Sequence, residues 1–258
     1  MILKNNISFL LLIILLGGCK TLGLNPFRKT PKNSFFNYHD KKFQCHAGTG
    51  IRDMEKFELY KEKIWNPVKD TYNSDNKTRI SSEIVIVGNS LIHIFEDRLL
   101  KQEFPNLNIV GRGIGGDTTE LLRERFKSNV LSLNPKTIII EIGGNDLIYG
   151  KCLSTIQENI SNIISDVQSF NPKIKIIILS LPPTLSAELN SIVPAYNSFL
   201  IRLAKNKNLD YIDLWNEMRD VDAPTLKQEY IRPFDTIHFN ENGYRLIGTL
   251  LRPILNSK

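Results

Sequence analysis

The chain changes character at about residue 83. From there on, short unbroken apolar runs alternate with longer amphipathic stretches. Ile84-Val85-Ile86-Val87 is the first such run, continuous and β-branched, as a strand buried on both faces requires. Leu107–Val110, Thr137–Ile142, Ile174–Leu179 and Leu209–Asp213 are the other predicted strands. Helices are predicted over Leu91–Gln102, Thr118–Leu131, Leu153–Phe170, Pro194–Lys205, with Pro at its first turn, and Asn242–Leu255. Asn134-Pro135 and Asn171-Pro172 close the second and third helices. This alternation predicts an α/β fold, a five-stranded parallel sheet with helices on both faces and right-handed crossovers. In such sheets ligands bind beyond the carboxyl ends of the strands, so the residues just after each strand are the candidates for chemistry.

Upstream of residue 83 the pattern is different. Lys4 and the apolar run Ile7–Leu16 make a charged start and a core too short to span a bilayer, as in an export signal. Leu16-Gly17-Gly18-Cys19 follows and resembles the lipobox of bacterial lipoproteins, with Cys19 as the lipidated residue. The expected organisation is a signal peptide over 1–18, a lipidated Cys and polar tether over 19–44, an extension packing on the domain over 45–82, and the main domain over 83–258. In the extension Met54, Phe57, Tyr60, Ile64 and Trp65 suggest one amphipathic helix. This reading places the protein in the cell envelope, held to a membrane by its lipid. Export would allow Cys45 and Cys152 to pair, and their wide separation says little either way; a staple between them is conceivable, and free buried thiols are the expectation.

Composition narrows the function classes. The chain has 258 residues, 41% hydrophobic and 23% charged, with a formal charge of +6. The main domain is long enough for a full core. Lys and Arg are scattered without a basic block, so no nucleic-acid partner is expected. None of the four His has metal-ligand spacing to another, so neither a metal nor another cofactor is expected.

Four loops follow strands and hold polar residues. Gly88-Asn89-Ser90-Leu91 places Ser90 where strand turns to helix; alone it reads as an ordinary N-cap. Gly111-Arg112-Gly113-Ile114-Gly115-Gly116-Asp117-Thr118-Thr119-Glu120 has glycines open to a ligand, and Asp117 and Glu120 as a capping-box-like pair. It lacks the Lys-Ser/Thr pair of a phosphate loop and the dinucleotide spacing. Gly143-Gly144-Asn145-Asp146 suits a tight turn, or an amide aimed into a cleft. Asp235-Thr236-Ile237-His238 sets a carboxylate three residues before an imidazole, ahead of the last helix; its plainer reading is a surface loop with a cap at Asn240. His93 is expected to be satisfied or exposed.

In order, these loops resemble the four sequence blocks of the SGNH (GDSL) hydrolases, and Gly113–Thr119 looks most like the subgroup related to platelet-activating-factor acetylhydrolase. The resemblance runs from about residue 83 to 255. It implies a flavodoxin-like three-layer α/β/α sandwich, in agreement with the strand pattern, and a serine esterase with the triad Ser90, Asp235 and His238 and an oxyanion hole from the Ser90 N–H, the Gly116 N–H and the Asn145 side chain. It also implies a small-molecule ester substrate with a short acyl group. One departure is Gly-Asn-Ser at 88–90, where the family usually has Gly-Asp-Ser. A non-catalytic envelope or glycan-binding module is the rival from another class. Lysophospholipase, thioesterase and glycan O-acetylesterase remain open within the enzymes.

Overall fold

The computed structural model describes residues 45, 54–79, 81–95 and 97–256. The export signal and Cys19 lie outside the described residues. Two helices precede the sheet: α1 (Met54–Tyr60) and α2 (Asn66–Thr78), joined without a break by a π-helical turn, Lys61–Trp65. The strands are β1 (Ile84–Gly88), β2 (Ile109–Gly113), β3 (Thr137–Glu141), β4 (Lys175–Leu179) and β5 (Asp210–Ile212). They form one parallel sheet in the order β2-β1-β3-β4-β5. The order reverses between β1 and β3, which puts the expected crevice above the end of β1.

Alternate strand residues feed two cores, because strand side chains point to opposite faces in turn. On one face Val85, Val87, Ile138, Ile140, Ile176 and Ile178 pack under α5 (Thr119–Asn129), α7 (Leu153–Phe170) and α8 (Ala187–Lys207). On the other, Ile86, Ile139 and Ile177 pack against α3 (Ser90–Ile94), α4 (Asp97–Glu103) and α10 (Glu241–Asn256). Short helices α6 (Gly144–Ile148) and α9 (Leu214–Met218) follow β3 and β5. Among the described residues no helix is long and apolar enough to cross a membrane.

Several local expectations are corrected. The helix after β1 is two helices, because Phe95 leaves the helical conformation and turns fully into the core beside Phe104 and Tyr244. β2 begins later than expected, since the Leu107 N–H closes a turn onto Phe104. α8 starts at Ala187, not at Pro194: the Ser186 hydroxyl accepts the Leu189 N–H at 3.2 Å and caps it, leaving Pro194 inside. The cap of α5 is Thr118, not Asp117, which is buried with other partners, while Glu120 pairs with Lys151. Cys45 and Cys152 are joined in a disulfide with their Cα atoms 4.8 Å apart, so they are not free thiols.

Candidate active site

Ser90 is the first residue of α3, directly after the turn out of β1. The turn is shaped by Asn89, whose side-chain oxygen accepts the Leu91 N–H at 2.9 Å. The other two members of the expected group arrive on the loop before α10. Asp235 Oδ1 accepts the backbone N–H groups of Ile237 and His238, both at 2.9 Å, which curls the loop around the carboxylate. Its Oδ2 lies 2.8 Å from His238 Nδ1, and His238 Nε2 lies 2.8 Å from Ser90 Oγ. Burial alone would raise the Asp235 pKa. The hydrogen bonds from the His238 ring and from the two backbone N–H groups outweigh it and hold the carboxyl well below the usual range. An ionised carboxylate on Nδ1 keeps a proton there and leaves Nε2 free to accept one from Ser90.

Gly116 and Asn145 stand at the ends of the two neighbouring strands. Gly116 has φ +85°, and a Cβ there would press on the Tyr60 ring at about 3 Å. Asn145, buried in the first turn of α6, donates one amide N–H to the Asp117 carbonyl at 2.8 Å. An amide has a second N–H, and this anchor fixes which way it turns. Gly116 and Asn145 are therefore bound into one assembly through Asp117.

That assembly centres on Arg125, a fully buried residue of α5. Its guanidinium meets the Asp117 carboxylate at 2.7 Å and donates to the Arg112 carbonyl at 2.9 Å and the Gly88 carbonyl at 3.2 Å. One side chain thus ties the ends of β1 and β2 to the loop that holds Gly116. Asp146 does the same for β3: it accepts the Thr119 N–H and hydroxyl at 2.9 and 2.7 Å, with Lys151 at 3.7 Å.

A cavity of about 30 Å³ opens beside Ser90. Ser90, Asn145, Ile148, Leu181, Leu189 and Val193 are among its walls, so it is lined mainly by apolar side chains. Glu141, at the end of β3, also borders it. Its carboxyl is buried, neither oxygen has a hydrogen-bond partner, and burial pushes its pKa up to about 8 despite the Asn89 amide nearby.

The sequence profile of the GDSL-like lipase/acylhydrolase family matches residues 90–246. The chain belongs to this family. It is a hydrolase acting on ester bonds. The alpha2 subunit of platelet-activating factor acetylhydrolase IB from Gallus gallus is 25% identical over 206 residues, covering 74% of this chain and 83% of that protein. A solved structure of a candidate platelet activating factor from Streptococcus pneumonia superposes with a TM-score of 0.70, at 23% identity over 78% of this chain and 97% of that one. An acetyl xylan esterase structure superposes with a TM-score of 0.57, at 23% identity over 67% of this chain and 99% of that one.

Within this GDSL-family fold, the geometry brings together Ser90, Asp235 and His238, and places Gly116 and Asn145 on the adjoining loops. Arg125, Glu141, His93 and the aromatic pair Tyr60 and Trp65 are the residues that sequence reading left out of the site. Arg125 did leave a signal: it falls with Leu121, Leu122 and Phe126 on the apolar face of its helix, where a charge needs a buried partner. His93 is satisfied, its Nδ1 accepting the Gly115 N–H at 3.0 Å. Among the described residues no cluster of His, Cys, Asp or Glu is arranged to hold a metal.

Proposed function

We propose that this GDSL-family hydrolase is a serine esterase for short acyl groups, acetyl above all. The observation that carries the reading is the unbroken chain of contacts from Ser90 Oγ to His238 to Asp235, each 2.8 Å long. Ser90 Oγ attacks the ester carbonyl carbon while His238 Nε2 takes its proton. The carbonyl oxygen, now negative, is received by the Ser90 N–H, the Gly116 N–H and the free N–H of Asn145. As the tetrahedral species collapses, His238 returns the proton to the departing alcohol and an acyl-Ser90 remains. Water attacks this acyl group by the same route and releases the acid. Asp235 stays ionised throughout and stabilises the imidazolium.

The cavity supports a short acyl group. The cavity beside Ser90, about 30 Å³, is small and mainly apolar, which suits the methyl group of an acetyl ester. A longer chain would gain about 0.8 kcal/mol per CH₂ only if walls such as Leu181 and Leu189 moved apart. The names of the Gallus gallus relative and of the acetyl xylan esterase both specify an acetyl ester. The primary test is turnover of p-nitrophenyl esters by the wild type and by Ser90→Ala, with fluorophosphonate labelling of Ser90. Full activity in the Ala variant removes the triad. A kcat/KM maximum at roughly ten carbons or more rejects the short-acyl assignment. Asn145→Ala should lower kcat by about 10²–10³ with KM nearly unchanged, as expected for one oxyanion donor.

The same proposal includes export and a lipid anchor at Cys19. The Cys45–Cys152 disulfide supports export, since disulfides persist in oxidising compartments. Cys19→Ala should leave protein that no longer partitions into detergent; partition like the wild type rejects the anchor.

A further inference from the structure

The helices that precede the sheet lie outside the stretch matched by the family profile, which begins at residue 90. They nevertheless reach the loop that holds Gly116. The Tyr60 hydroxyl donates to the Gly115 carbonyl at 2.8 Å, and the Trp65 indole N–H donates to the Asp117 carboxylate at 3.0 Å. These contacts fall on the two residues flanking Gly116. Tyr60 and Trp65 are five apart, and on an α-helix they would be turned about 140° from one another. The π-helical turn over Lys61–Trp65, with the Asn66 N–H bonded to the Lys61 carbonyl, lets both reach the same loop.

We propose that Tyr60 is a positioning residue of the oxyanion site, aiming the Gly116 N–H by holding the carbonyl on the opposite edge of the same peptide plane. The proposal rests on the reading of Gly116 as an oxyanion donor. The physical link is the peptide bond itself. The Gly115 C=O and the Gly116 N–H belong to one planar trans unit, in which they point in opposite directions. A peptide between two glycines has little steric resistance to rotation as a unit, and rotation would turn the N–H out of the site. Tyr60 pins the carbonyl edge, and its ring lies against the Gly116 Cα. His93 Nδ1 accepts the N–H of Gly115 at 3.0 Å, so the preceding peptide is held as well. A hydrogen bond accepted at the carbonyl also polarises the N–H of its own peptide, strengthening it as a donor to an oxyanion. Burial keeps the Tyr60 phenol protonated, hence a donor. Trp65 supports the same loop one residue further on, at Asp117, whose carbonyl in turn orients Asn145.

The test is Tyr60→Phe, which keeps the ring over Gly116 and removes the hydroxyl alone. The expected result is a kcat lowered by about tenfold with KM within about twofold, less than the 10²–10³ for complete loss of one donor. The rate of Ser90 labelling by a fluorophosphonate should fall in parallel, while the pH profile of kcat/KM keeps its limbs, because His238 is untouched. A purely structural Tyr60 would lower the melting temperature without this kcat-selective loss. If Tyr60→Phe does not fold, Trp65→Phe takes its place and should also lower kcat rather than raise KM. Asn145→Ala is measured beside them. A large kcat loss in Asn145→Ala together with wild-type kcat in Tyr60→Phe and Trp65→Phe overturns the positioning role alone. Wild-type kcat in Asn145→Ala as well overturns the oxyanion reading, and the positioning role with it.

Discussion

Glu141→Gln should make the protein's stability less sensitive to alkali, by an amount that can be worked from the structure. Glu141 is 1% exposed and neither of its oxygens has a hydrogen-bond partner. Burial disfavours the charged form and pushes its pKa from 4.5 to about 8. In the unfolded chain the group ionises near 4.3. Between those two values the native protein holds a proton that the unfolded chain has lost, so stability declines as pH rises through this window. The decline is about 1.4 kcal/mol per pH unit, or roughly 3–5 kcal/mol over the whole window. Below about pH 4 the term is fully favourable, and above about pH 9 it has gone. Gln has the same length and no charge, and it replaces one unpaired polar group with another. The two proteins should therefore differ by no more than about 1 kcal/mol at pH 5, apart from the different packing of the amide. At pH 9 the Gln variant should be the more stable by several kcal/mol. Urea unfolding of oxidised wild type and variant at pH 5, 7 and 9 measures the difference directly, since the other titrating groups are common to both. Stability curves that run parallel from pH 5 to 9 would refute the assignment of a neutral Glu141.

Arg125→Met should destabilise the fold by about 3–5 kcal/mol in chemical denaturation, because it strands the Asp117 carboxylate in a dry site; a loss below about 1 kcal/mol would mean that the pair does not tie the loops together. Phe234→Gly should raise stability by about 0.5–1 kcal/mol, seen as a melting temperature a few degrees higher. The reason is that Phe234 is fully exposed and sits at φ +63°, after Pro233 in a turn closed by the Asp235 N–H on the Arg232 carbonyl. A lower melting temperature would show that the ring contributes to folding. Reducing Cys45–Cys152 should cost about 2–4 kcal/mol of stability, since the link closes a loop of 107 residues in the unfolded chain. Equal urea midpoints with and without reductant would count against that.

The parts of the fold that depend on local pattern were legible in the sequence. The apolar runs at 84–87, 137–142 and 174–179 fall on β1, β3 and β4, because a strand buried on both faces leaves little choice of residue. The chain order of β1, β2 and β3 also puts the loops that carry Ser90, Gly116 and Asn145 beyond the ends of three adjacent strands. What escaped were interactions made by residues with a sound local role elsewhere. Asp117 looks like a helix cap, yet its carboxylate serves Arg125 and Trp65, and the cap passes to Thr118. Pro194 looks like a helix start, but the Ser186 cap lies a full two turns upstream. Tyr60 and Trp65 fit an amphipathic helix, and only the π-helical turn aims both at one loop. Such choices are settled by tertiary packing, which leaves no period in the sequence.

The substitution of Asn for the usual Asp at position 89 has a physical rationale in the same place. Asn89 is buried at the turn into α3, and its side-chain oxygen caps Leu91, a task that Asp would perform equally well. What differs is the neighbour. The Asn89 amide is the polar group that acts to lower the pKa of the otherwise unsupported Glu141. An Asp here would set a second carboxyl beside the first. Two like charges about 4 Å apart repel by about 4 kcal/mol at an effective dielectric of about 20. One of the two would have to stay protonated, and the turn bearing Ser90 would then change charge with pH. With Asn89, the cap on Leu91 does not titrate, and the hydrogen bond that fixes the Ser90 turn does not change with pH. The electrostatic consequence is confined to the turn beneath Ser90. The contacts among Ser90, His238 and Asp235, the residues of the proposed triad, do not pass through residue 89.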